Sequence, residues 1–122
     1  MEATQQDKDL IQQVSECMQA GPSRVEELNS LFAADAVLIE PFSGPVQTSV
    51  GIDAISARNR EMVNAPRPPD FKITIDQIAS EGGKVVTDWT CTSVVLPAPM
   101  KGRSDYTIRS GKIAKLEIAF LP

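Results

Sequence analysis

LFAADAVLIEPFSGPVQTSVGIDAI, residues 31–55, reads as the end of a helix, a short strand, a bend and the start of another helix. Its most informative residue is Glu40, a carboxylate closing the apolar run Val37-Leu38-Ile39 and followed by Pro41-Phe42. A charge is costly to hold among apolar groups, and burial raises a carboxylic acid's pKa. Glu40 therefore stands either at the strand's wet edge or in a pocket where its protonation matters.

Val37–Phe42 forms the first strand, with Val37 and Ile39 pointing one way and Leu38, Glu40 and Phe42 the other. A strand apolar on both faces needs cover on both. Helices supply one cover and a second subunit the other, so a homodimer is expected. Upstream, residues 4–19 carry Leu10, Ile11, Val14, Cys17 and Met18 at helical spacing, Thr4 with Asp7 has capping-box form, and Gly21-Pro22 stops the helix. Ser23 with Glu26 forms a second capping box, opening a helix whose apolar face is Val25, Leu28, Leu31 and Phe32. Gly44-Pro45 turns the chain, and Gly51 opens a third helix with Ile52, Ile55, Asn59 and Met62 on one stripe. Asn59 either presents its amide to a ligand or marks the solvent side of a twisted stripe. Arg58, Arg60 and Glu61 read as that helix's solvated face.

Downstream, Ala65-Pro66-Arg67-Pro68-Pro69 has the PxxP spacing that proline-recognition modules bind, but it reads as a stiff connector. Phe71, Ile73 and Ile75 alternate with Lys72, Thr74 and Asp76, giving a strand with one core face. Glu81-Gly82-Gly83-Lys84 is a hairpin turn, and Val85–Leu96 a long strand with Val85, Thr87, Trp89, Cys91, Ser93 and Val95 on one face. Lys101–Ile108, the turn Arg109-Ser110-Gly111 and Lys112–Leu121 complete a second hairpin, with Leu116, Ile118 and Phe120 facing inward. Long antiparallel strands after three helices make an α+β fold. The expected architecture is three N-terminal helices packed on a strongly curved antiparallel sheet, a cone-shaped roll forming one domain over residues 1–122.

Composition narrows the chemistry. With 12 Lys+Arg against 16 Asp+Glu the net charge is −4, and no basic run exists, so nucleic acid and anionic membrane are poor partners. The chain has no apolar run of spanning length and no charged-then-apolar leader, so a cytoplasmic location is expected. It holds no histidine, which excludes serine–histidine and cysteine–histidine catalysis and histidine metal ligands. Cys17 and Cys91 read as small buried apolar residues. There is no GxGxxG and no P-loop, so no cofactor is expected.

Phe32-Ala33-Ala34-Asp35-Ala36, then Glu40-Pro41-Phe42, then Gly51-Ile52-Asp53-Ala54-Ile55 resembles the opening signature of the ketosteroid isomerase and nuclear transport factor two superfamily, which includes polyketide cyclase-like proteins. Ser110-Gly111-Lys112-Ile113 resembles the hairpin before that superfamily's last strand. The resemblance implies the helix, helix, strand, helix and strands order, and a ligand cavity at the open end of the sheet. It puts Glu40 where the isomerases carry the aspartate that moves a proton next to a carbonyl. The family's helix-one tyrosine, an oxyanion donor, corresponds to Val14 here. Its second acid lies near Asp105, and strand alternation sets Asp105 opposite Tyr106 and Ile108, so Tyr106 is favoured to face the cavity. Cyclases and epoxide hydrolases of this kind use a last-strand acid, where this chain has Ile118, and an arginine–aspartate arrangement in the long strand, where Thr87-Asp88-Trp89 offers no arginine.

Two functions follow from the resemblance. One is a cofactor-independent isomerase- or lyase-type enzyme acting on a small lipophilic carbonyl compound, with Glu40 as base and Tyr106 or Asp105 assisting. The other is a non-catalytic module of the same fold that binds a small apolar ligand or dimerises. Either would line its pocket with Val14, Phe42, Asn59, Met62, Trp89 and Ile118.

Overall fold

In the computed structural model, which describes residues 4–122, three helices pack into the concave side of one six-stranded sheet. Helix α1, Gln5–Ala20, begins where the Thr4 hydroxyl accepts the Asp7 N–H at 3.1 Å and buries Leu10, Ile11, Val14 and Cys17. Gly21, at φ +75°, turns the chain into a one-turn 3-10 segment, Gly21–Arg24, before the short helix α2, Val25–Ser30. The expected capping by Ser23 is not made. Its hydroxyl instead donates to the Ala20 carbonyl at 3.3 Å, because the intervening 3-10 turn holds it against the end of α1.

Phe32 lies on a strand and not on the second helix. Strand β1 spans Phe32–Glu40, and the Ile113 N–H donates to the Leu31 carbonyl at 2.9 Å, pulling this segment into the sheet. Along β1 the side chains of Ala36, Leu38 and Glu40 are buried while Val37 and Ile39 are half-buried on the opposite face, the expected alternation. A short strand β2, Gln47–Val50, pairs antiparallel with β1, and α3, Ile52–Asn64, follows. Strands β3 (Lys72–Glu81), β4 (Lys84–Thr92), β5 (Met100–Arg109) and β6 (Lys112–Phe120) run as an antiparallel meander.

The sheet order is β2-β1-β6-β5-β4-β3, and β1 runs parallel to β6, so the sheet is mostly and not wholly antiparallel. Register shifts in β1/β6, β3/β4 and β5/β6 mark bulges, which bend strands and curl a sheet around what it covers. Strand β4 stops at Thr92 and not at Leu96, because the Asp70 carboxylate accepts the Val94 N–H at 2.6 Å and the Ser93 hydroxyl at 2.9 Å, peeling the chain off the ladder. The sheet's outer face is largely polar, with Arg103 paired to Asp88 and Lys115 near Glu117. Among the described residues no helix is long and apolar enough to cross a membrane.

Candidate functional site

A cavity of about 290 Å³ lies between α1, α3 and the inner face of β3–β6. Its walls are mainly apolar: Ile11, Val14 and Met18 from α1, Met62 from α3, and Ile75, Trp89 and Ile118 from the sheet. The curl of the sheet makes this space, since strands bent around three helices cannot close fully at the wide end. There Phe42, Trp89 and Phe120 meet with ring centroids 5.7–6.3 Å apart. Phe42 and Phe120 are each about two-fifths exposed, so the trio stands where the cavity meets solvent.

Glu40 points inward and is fully buried, but it does not line the cavity. Its Oε1 accepts the Phe42 N–H at 2.9 Å and Arg58 Nη2 at 3.0 Å, and its Oε2 accepts Arg58 Nε at 2.5 Å. This is a two-point ion pair with a guanidinium that is itself buried. Arg58 reaches further, to the Ser43 hydroxyl at 2.8 Å and to Glu61 at 3.2 Å. Hydrogen bonding to Glu40, opposed in part by burial, raises the Arg58 pKa above its ordinary value. The expected free base is thus a clamped carboxylate, and Arg58 is not part of a solvated face. One signal in the sequence pointed there: Ile55, Arg58, Asn59 and Met62 form an i, i+3, i+4, i+7 stripe, so Arg58 shares the buried side of its helix.

Tyr106 lines the cavity, and burial pushes its phenol pKa up. Asp105 lies on the other face of β5, as alternation requires, and does not reach the cavity. Asn59 is buried between helices instead, where its Nδ2 donates to Asn29 Oδ1 at 2.9 Å, so it is not a pocket residue. Val14, Phe42, Met62, Trp89 and Ile118 all line the cavity. Sequence reasoning did not single out Thr87 and Ser104, which also line it, or Arg67, whose guanidinium caps α1 by donating to the Met18 and Gln19 carbonyls at 2.8 and 2.9 Å. Cys91 lies on the wall, its thiol pKa raised by burial. Among the described residues no group of three acidic or cysteine side chains is placed to hold a metal.

The SnoaL-like domain family matches residues 11–116, nearly the whole chain. This chain belongs to the SnoaL-like domain family. No curated protein matches it. Its SnoaL-like fold recurs in solved structures at low identity. A protein from Kribbella flavida provisionally named a ketosteroid isomerase is 17% identical, with TM-score 0.70 over 100% of this chain and 82% of the other. One from Sinorhizobium meliloti provisionally named a polyketide cyclase is 20% identical, with TM-score 0.72 over 91% of this chain and 94% of its own. A de novo designed protein with a curved β-sheet is 13% identical, with TM-score 0.71 over 98% and 88%. The superfamily resemblance and the helices-in-a-curved-sheet architecture are therefore correct for this SnoaL-like chain.

Proposed function

We propose that this chain holds a small, uncharged, mainly apolar molecule in the cavity between its helices and sheet. The cavity itself carries this reading. At about 290 Å³ it is near the small end of the ~300–1,000 Å³ range of ligand sites, its walls are mostly aliphatic and aromatic, and a few polar groups converge on it. Its charges nearly cancel. Arg58 faces Glu40 and Glu61, and Arg67 is held against the α1 carbonyls, so an ionic ligand would find little to pair with.

Trp89 is the only tryptophan and lines the cavity, so its emission reports occupancy. Titrating neutral monocyclic and bicyclic compounds should change Trp89 fluorescence saturably, and Val14→Phe, which fills the cavity, should abolish the change. No saturable response up to millimolar concentration would overturn the reading.

The catalytic alternative draws on the names of the structural neighbours, an isomerase and a cyclase. It needs a base that the substrate can reach, and Glu40 is fully buried, absent from the cavity wall and held by Arg58 and the Phe42 N–H. The expected result is binding without enone isomerisation above background. Turnover that disappears in Glu40→Gln while binding persists would reverse the preference.

A further inference from the structure

The connection from β1 to β2, residues 41–46, borders the cavity through Phe42 and Ser43, and Phe42 to Val46 are all exposed. Exposed connections with few buried contacts are among the first parts of a fold to open. This one is fastened at three successive residues. The Phe42 N–H donates to Glu40 Oε1 at 2.9 Å, and the Ser43 hydroxyl accepts Arg58 Nη2 at 2.8 Å. The Gly44 N–H donates to the Pro41 carbonyl at 3.0 Å, closing a turn in which Gly44 stands at φ +104°. Two of the three fastenings therefore run to one buried ion pair, which joins the end of β1 to α3. What they hold in place is the Phe42 ring, which lines the cavity and meets Trp89 and Phe120 at centroid distances of 6.3 and 5.7 Å.

We propose that residues 41–46 form a latched lid at the cavity mouth, with Phe42 as the gate and the Glu40–Arg58 pair as its catch. The inference rests on the ligand-cavity reading above and says how that cavity is entered. Glu40 and Arg58 already answer each other's charge through two bonds of their own. The further bonds to the Phe42 N–H and the Ser43 hydroxyl fix where the turn sits. A hydrogen bond to an ionised group is stronger than one between neutral partners, so the buried pair is a firmer catch than the turn's own bond. The gate itself is lightly seated. Phe42 is about two-fifths exposed and touches its neighbours through tilted and edge-on ring contacts, so it can lift once the catch lets go. Exchange of a ligand is then paced by the loop and not by the fit of the ligand inside.

The test follows acrylamide quenching of Trp89, the only tryptophan, and needs no ligand. Ser43→Ala removes one bond to the catch and no cover from the indole, and Ser43 is exposed, so the fold is kept. Its Stern–Volmer constant should be roughly twofold that of wild type or more, at an unchanged melting temperature. Phe42→Ala, which deletes the gate, should reach at least the same value. Thr48→Ala, on β2 beyond the loop, should keep the wild-type constant. In stopped-flow mixing with 2-decalol, Ser43→Ala should speed association and dissociation together by roughly threefold and leave the Kd nearly unchanged, a split that simple loss of packing does not give. Equal quenching in wild type and Ser43→Ala overturns the latch, as does a changed Kd with an unchanged association rate. If 2-decalol never saturates, the ligand reading falls, and raised quenching in Ser43→Ala still upholds the lid.

Discussion

A glutamate enclosed by apolar strands is stable only if its charge is answered, and Arg58 answers it. Removing one partner of a buried pair strands the other's charge in a poorly solvating interior, which costs more than the pair contributes. Glu40→Gln or Arg58→Met should each destabilise the protein by roughly 3–5 kcal/mol in urea denaturation. The double variant Glu40→Leu, Arg58→Met should recover much of that loss, with a coupling energy of about 2 kcal/mol or more. Additive losses would mean that the two side chains act separately. The sequence left Glu40 open between a wet strand edge and a pocket, because an acid at the end of the apolar run Val37-Leu38-Ile39 fits both, and only the fold decides for burial. Its partner Arg58 lies 18 residues on in a different element, and only its place on the stripe of Ile55, Asn59 and Met62 marks it as facing inward.

Between neighbouring strands, the feature least visible in the sequence is Gly102. Its φ is ordinary, so it is needed not for its backbone freedom but for the space it leaves. A Cβ there would fall 2.0 Å from Trp89 Cζ2 and 2.4 Å from Cε2, since the indole lies flat across the glycine opposite it. Gly102→Ala should displace the indole, break its bond to Ser104 and cost about 1–3 kcal/mol, with Trp89 emission shifting to longer wavelength. Unchanged emission would show that the ring finds room. The alternation in β3 through β6 was largely readable, except that Ser93 and Val95 continue it past Thr92, where the strand ends. Strand β2 was not, because Gln47-Thr48-Ser49 shows no apolar alternation and pairs on one side only. Phe32 fits the helical spacing of Leu28 as well as it fits a strand's first residue, and only its pairing with Ile113 decides between them. The parallel β1–β6 pairing joins the first strand to the last, and no local pattern encodes which distant strands meet.

At the scale of the whole molecule, several carboxylates tie separate segments together, and the chain lacks histidine, so its stability should have a wide plateau with two edges. Glu27, held by Arg24 and Gln13, has its pKa lowered from an ordinary 4.5 to about 2. Asp35 is lowered by Arg109, which ties β1 to the end of β5, and Asp70 by the Val94 N–H and Ser93, which ties the connector to the loop after β4. A carboxylate whose pKa is lower in the folded state binds fewer protons folded than unfolded as pH falls. Its stabilisation is therefore complete above its unfolded value and is lost on the way down through the folded one. The loss should begin near pH 4.5 and continue toward pH 2. At the other edge the Cys17 thiol is raised from 9.0 to about 11, by burial first and then by the neighbouring Glu27 carboxylate, and the Tyr106 phenol is raised by burial. For these groups the neutral form is favoured in the fold, so the unfolded chain ionises first and stability falls as pH rises above about 9. Thermal melting followed by circular dichroism should give a midpoint that is flat from pH 5.5 to 8 and falls on both sides, with the acid fall shallower in Glu27→Gln. A slope across the plateau would mean that a group with no place in this account titrates on unfolding. An acid edge unchanged in Glu27→Gln would remove Glu27 from the ties that set it.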